Sequence, residues 1–110
     1  MTDHNESWTA VCAVQEIAPE TGVCALVKGQ HVAVFRVQDR LYAIGNIDPK
    51  SGASVLARGL VGSLGERIVV ASPLYKQHFD LATGECLEDP EHPVPAYAAK
   101  VENGRVWVVA

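Results

Sequence analysis

Residues 23–46 double back twice while spending almost no chain on turns, and this limits what the rest of the sequence can become. Val23-Cys24-Ala25-Leu26-Val27 and His31-Val32-Ala33-Val34-Phe35-Arg36-Val37 are apolar runs rich in β-branched residues. Lys28-Gly29-Gln30 separates them, with Gly29 free to take the positive φ of a tight turn. A second short turn, Gln38-Asp39-Arg40, leads into Leu41-Tyr42-Ala43-Ile44-Gly45-Asn46. The middle run alternates cleanly: Val32, Val34 and Arg36 face one side, and Ala33, Phe35 and Val37 the other. Connections this short leave no room for a crossover helix, so the three runs form an antiparallel meander.

The flanking sequence extends the same theme. Trp8 to Val14 is an opening strand, with a brief helical turn at Val14 to Ile17 and a turn-rich connection holding Pro19, Thr21 and Gly22. Residues 47–65 contain Pro49, Gly52, Gly59, Gly62 and Gly65 and lack period-two alternation. They read as a long irregular excursion, relieved by one helical turn at Ser54 to Arg58 that Gly59 ends. Ile68 to Ala71 and Gln77 to Leu81 return to strand, around a loop at Pro73 to Lys76. The acidic segment from Glu88 to Pro95 carries Pro90, Pro93 and Pro95 and reads as an extended surface connection. Asn103-Gly104 between Tyr97–Val101 and Arg105–Val109 is a strong hairpin signal. The expected fold is all-β: eight or nine short strands in an antiparallel sandwich or small barrels, from which two loops project. Residues 1–110 read as a single domain, with 1–7 a flexible N-terminal tail.

Charge and cysteine usage exclude several functions. Nine Lys+Arg stand against 13 Asp+Glu, the reverse of what a phosphate backbone attracts, so nucleic acid is not an expected partner. No run reaches the roughly 18 apolar residues of a membrane span, and the polar start lacks the pattern of a secretory signal, so a cytoplasmic location is expected. Cys12, Cys24 and Cys86 are odd in number and widely spaced, which signals neither a disulfide framework nor a zinc site. They read as small buried hydrophobes in a reducing compartment. No nucleophile–base pair, phosphate loop or carboxylate dyad stands out, so no catalytic residue and no metal ligand is assigned.

The two loops carry the most specific wording. Ser72-Pro73-Leu74-Tyr75-Lys76-Gln77-His78-Phe79-Asp80-Leu81-Ala82-Thr83-Gly84 resembles the second cluster loop of a Rieske domain, Cys-Pro-x-His-Gly-x-x-Phe-Asp-x-x-Thr-Gly. Leu41 to Ala53 resembles the first, Leu-Tyr-Ala-x-x-Asn-x-Cys-Pro-His-x-Gly-Ala. A Rieske [2Fe–2S] centre takes cysteines on one iron and histidines on the other. Here Asp48 and Ser72 stand at the cysteine positions, and Lys50 and Tyr75 at the histidine positions. Thiolate is gone, and a charged Lys50 ammonium has no lone pair to give, so this set does not suit a cluster. The replacements instead offer ways of tying the loops together: Asp48 pairing with Lys50 or Lys76, and the Ser72 and Tyr75 hydroxyls bridging.

Further wording narrows the resemblance. Pro19-Glu20-Thr21-Gly22-Val23-Cys24-Ala25-Leu26, Asn46-Ile47-Asp48-Pro49, Ala53-Ser54-Val55-Leu56-Ala57-Arg58-Gly59-Leu60, Val70 to Gln77 and Gly84-Glu85-Cys86-Leu87-Glu88-Asp89 resemble the small subunit of assimilatory NAD(P)H-dependent nitrite reductase. The likeness runs from about Trp8 to Val108. It implies a companion of a large subunit that carries sirohaem, an iron–sulfur cluster and FAD and reduces nitrite to ammonia with NAD(P)H. The chain itself would hold no cofactor. Docking candidates are Asp48 and Lys50 in the first loop, Arg58 after it, and Lys76 and His78 in and after the second. Two other readings stay open: a Rieske-type ferredoxin that carries electrons, and a scaffold for another oxidoreductase. A visible spectrum separates the first from a cluster-free subunit, and co-purification separates the second.

Overall fold

A computed structural model describes residues 7–110, so most of the expected tail lies outside the described residues. Among the described residues nine strands form two antiparallel sheets: β1 (Thr9–Ala13), β2 (Thr21–Val27), β3 (Gln30–Val37), β4 (Arg40–Gly45), β5 (Leu60–Leu64), β6 (Arg67–Ala71), β7 (His78–Asp80), β8 (Ala96–Glu102) and β9 (Arg105–Val109). The larger sheet runs β1-β9-β8-β4-β3-β2, and the smaller runs β5-β6-β7. The expected meander is β2-β3-β4, in register from Thr21↔Arg36 to Val32↔Gly45.

The alternation in β3 has a structural reason: both of its faces are buried, against different cores. Val32 and Val34 join Ile17, Val27, Ala43, Val106 and Val108 in a cluster that also gathers Val11 of β1 and Val23 of β2. The larger sheet therefore curls until its two edge strands share one interior. Ala33, Phe35 and Val37 face the other way, joining Ile44, Leu56, Ala57, Val70, Phe79, Leu81, Cys86 and Val94 between the two sheets. Burying a Phe35 or Phe79 ring contributes about 1.5–3 kcal/mol each. Arg36, placed by the alternation on the Val32 side, lies at the rim and donates from Nη1 to the Ile17 carbonyl at 3.0 Å.

Strand β5 departs from expectation, because it lies inside the stretch read as irregular. Only Val61 of Leu60–Leu64 packs on the core, while Leu60, Gly62, Ser63 and Leu64 are exposed. A strand with one inward side chain shows no alternation; its pairing with β6, from Leu60↔Ala71 to Leu64↔Arg67, defines it. The helical turn ahead of it is present as a 3-10 turn at Leu56–Arg58, closed by Gly59. A Cβ at Gly59 would collide with the Ala71 carbonyl, so this glycine lets the first loop close onto β6. Gly84 has φ of 82° and packs against the Val94 backbone, which only glycine tolerates.

The cysteines diverge from one another. Cys86 is buried and Cys12 half-buried, as expected of small hydrophobes, but Cys24 on β2 is exposed. Its sulfur receives a 3.3 Å contact from Asn46 Nδ2 at the start of the first loop. The tryptophans are half-buried, Trp8 with Lys100 Nζ 4.3 Å from its ring centroid.

Candidate functional site: a tip made of two loops

The first loop leaves β4 at Asn46, a fully buried side chain that organises the residues after it. Asn46 Oδ1 accepts from the Ala57 backbone at 2.6 Å, its carbonyl accepts from Val55 and Leu56, and Nδ2 donates to Ser54 Oγ at 2.7 Å. An antiparallel bridge between Ile47 and Ser54 pinches the loop, and Asp48 N donates to the Ala53 carbonyl. The loop tip is therefore a small ring closed at its neck. The second loop joins β6 to β7 and is closed by Ser72 N donating to the Gln77 carbonyl at 2.9 Å. Lys76 sits within it at φ 66°, with its backbone N–H donating to the Ser72 carbonyl.

Where the loops meet, the four substituted positions pair off. Asp48 and Ser72 are both at 0 % exposure, and Ser72 Oγ donates to Asp48 Oδ2 at 2.6 Å. Asp48 Oδ1 accepts from Gln77 Nε2 at 2.9 Å and from the Lys50 backbone at 2.8 Å. The carboxylate thus spans both loops with three donors, a complement that suits a buried acid. The other two positions pair at the surface: Lys50 Nζ lies 4.8 Å from the Tyr75 ring centroid.

Two expectations are corrected here. The Asp48 carboxylate does not pair with the ammonium of Lys50 or Lys76; Ser72, Gln77 and the Lys50 backbone engage it instead. Ser72 does bridge the loops through its hydroxyl, whereas Tyr75 meets Lys50 through its ring. Asp48 is also sealed inside, so the surface of the tip is left to Lys50, Arg58 and Lys76, which are exposed, and to half-buried His78. Of the apolar tip residues, Leu56 is core and Val55 is half-buried, while Leu60 is 79 % and Leu74 50 % exposed.

His78 heads a second connection. Its backbone N–H donates to Glu88 Oε1 at 2.7 Å, and its Nδ1 lies 2.6 Å from Glu88 Oε2. Burial opposes a charge on Glu88, but the bonds from the His78 backbone and ring outweigh it and hold the carboxyl below its ordinary value. A cleft of about 470 Å³ opens between the tip and this segment, walled by Lys50, Tyr75 and Lys76 on one side and Glu88, Asp89 and His92 on the other. Cys86 also lines the cleft; burial pushes its thiol pKa up, against hydrogen bonds from the backbone of Asp89 and Glu88.

Gln77, Asn46 and Glu88 do not stand out in the sequence as site residues. Gln77 and Glu88 lie within the family-like wording, but nothing in spacing shows that a side chain will reach another loop. Asn46 carries the clearest available signal, a polar residue closing an apolar strand ahead of a loop.

This donor set does not fit a [2Fe–2S] cluster. No thiolate stands at any of the four positions, the Asp48 oxygens are committed to three donors, and Lys50 offers an ammonium. Among the described residues no three His, Cys, Asp or Glu side chains converge as metal ligands.

A curled six-stranded antiparallel sheet packed against a small three-stranded one, with paired loops at one end, defines a Rieske-like domain, and the profile of the Rieske-like [2Fe-2S] domain family matches residues 7–109. Within that class the chain belongs to the family of nitrite reductase (NADH) small subunits. It is 46 % identical to the nitrite reductase (NADH) small subunit of Escherichia coli K12 over 101 residues, covering 90 % of this chain and 94 % of that one. The NMR structure of the E. coli protein NirD superposes with a TM-score of 0.89 at 44 % identity, covering 96 % of this chain and 97 % of that one. A third relative is the nitrite reductase [NAD(P)H] large subunit of Klebsiella oxytoca, 43 % identical over 92 % of this chain but only 11 % of its own length.

Proposed function

We propose that this chain is the non-catalytic small subunit of an NAD(P)H-dependent nitrite reductase in nitrate assimilation. It works by contact with the large subunit and holds no redox centre. The observation that carries the reading is the paired replacement at the tip: a buried Asp48–Ser72 bond at the cysteine positions and a Lys50–Tyr75 contact at the histidine positions. Together these keep the loop geometry of a cluster domain without its donors. Kinship with a segment of a large subunit supports a working place beside that subunit's own chain. Sirohaem, an iron–sulfur cluster, FAD and the NAD(P)H site belong to that partner in this reading. Reduction of nitrite to ammonia takes place there.

Docking is assigned to the tip, with Lys50, Arg58, Lys76 and His78 at its surface and Asp48 holding it from within. The complex is cytoplasmic in this account, in keeping with the absence, among the described residues, of a helix long and apolar enough to cross a membrane. Residues 1–110 act as one domain. Reconstitution tests the proposal: NADH- or NADPH-driven nitrite reduction by the purified large subunit, without and with added chain. A rise in turnover that saturates with the chain supports it; turnover that never responds contradicts it.

A further inference from the structure

The tip differs from the rest of the molecule in charge as well as shape. On residues 46–58 and 71–78 the exposed charged side chains are Lys50, Arg58 and Lys76, all cationic, and the one acid, Asp48, is buried. Elsewhere the chain has six Lys+Arg against twelve Asp+Glu. Among the described residues these three cations have no ion-pair partner; Glu88 and Asp89, which line the same cleft, bond to ring nitrogens of His78 and His92 and form no ion pair with Lys50 or Lys76.

Apolar side chains stand among the cations. Ile47 is 43 %, Leu74 50 % and Tyr75 52 % exposed on the two loops. Leu60, 79 % exposed, pairs with Ala71 at the end of the small sheet from which the second loop springs. Large apolar groups gathered at one end and bordered by charge mark a contact surface rather than scattered exposure.

We infer that this tip is a docking face with an apolar centre (Ile47, Leu60, Leu74, Tyr75) and a cationic border (Lys50, Arg58, Lys76), made for an acidic-bordered apolar patch on the nitrite reductase large subunit. The inference rests on the docking reading above and adds the sign of the partner's charge and the residues that meet it. The charge asymmetry orients the chain during approach, tip first, towards a negative surface. Lys50, held over the Tyr75 ring, gives up less freedom on binding than an untethered lysine.

The test is the affinity of the intact chain for purified, immobilised large subunit, measured across ionic strength and for variants. Wild-type affinity falls as salt rises from about 0.05 to 0.5 M, since a border of exposed charges is screened over that range. Lys50→Glu with Lys76→Glu weakens binding about tenfold or more, and Leu74→Ser does so without that salt dependence changing. Val101→Ser and Arg40→Glu, both exposed at the end of the larger sheet opposite the first loop, leave affinity within about twofold of wild type. Retained thermal unfolding midpoints show that the tip variants are folded, and the wild-type salt series needs no variant. Salt-insensitive binding would overturn the charge complementarity while leaving docking through the tip intact; tip variants that bind like wild type would overturn both this face and the tip assignment, and leave only the reading of the chain as a small subunit. No wild-type binding at all would remove the docking reading as well.

Discussion

Ser72 Oγ donates a 2.6 Å hydrogen bond to Asp48 Oδ2 across 24 positions of sequence, with both residues at 0 % exposure. In a cluster-bearing relative two cysteines would stand here and the metal would join the loops. In this chain a carboxylate and its donors do so. Asp48→Ala removes three hydrogen bonds and leaves Ser72, Gln77 and the Lys50 N–H short of an acceptor, so it lowers stability by about 2–4 kcal/mol in urea unfolding. Ser72→Ala costs about 1–3 kcal/mol, and the double variant costs less than the sum because the two share one bond. Additive single effects would show that the bond does not couple the loops.

At the surface the tether is weaker and runs through a ring. Tyr75→Phe keeps the Lys50 contact and leaves stability unchanged, while Tyr75→Ala costs on the order of 0.5–1 kcal/mol, as exposed cation–π pairs do. If Tyr75→Phe matched Tyr75→Ala, the hydroxyl would be the working group.

The thiols separate by burial. Cys24 is exposed and reacts readily with a maleimide or disulfide reagent at neutral pH. Cys86, buried and with its thiol pKa pushed up by burial, reacts only as the fold opens. Mass spectrometry of briefly labelled protein should find Cys24 modified and Cys86 unmodified; equal labelling would contradict the packing around Cys86.

Glu88 makes the segment beside the tip sensitive to acid. Its folded pKa lies below the ordinary 4.5 because bonds from His78 outweigh the burial that opposes them. The carboxylate's contribution is therefore present above that ordinary value and is lost as pH falls through the folded one. Glu88→Gln lowers the unfolding midpoint at neutral pH, and the gap to wild type narrows as pH falls below the ordinary carboxylate value and through the lowered folded one. A gap independent of pH would show that the His78–Glu88 bond acts through shape alone.

The sequence carried the architecture further than the chemistry of its tip. β2-β3-β4 was legible because period-two alternation meets short turns, and β8-β9 because Asn103-Gly104 lies between two apolar runs. β5 was hidden, since a strand with only Val61 facing the core leaves no periodic trace. The exchange at the four ligand positions was readable by position, but its pairing was not. Opposite charge suggests Asp48 with a lysine, yet the exposed ammonium groups stay at the surface and neutral donors that can be buried beside the carboxylate take their place. Gln77 reaches Asp48 only because the second loop folds back through Ser72 N and the Gln77 carbonyl, a contact formed in three dimensions.

The central claim is that polar side chains occupy the place of a metal centre in a working subunit. Iron content and the visible spectrum of this chain, separated from a complex that is reducing nitrite, test it most directly. The account predicts a colourless chain with no stoichiometric iron, carrying full stimulating activity when returned to the large subunit. A brown chain with two irons per molecule, losing that activity when the iron is removed, would contradict it.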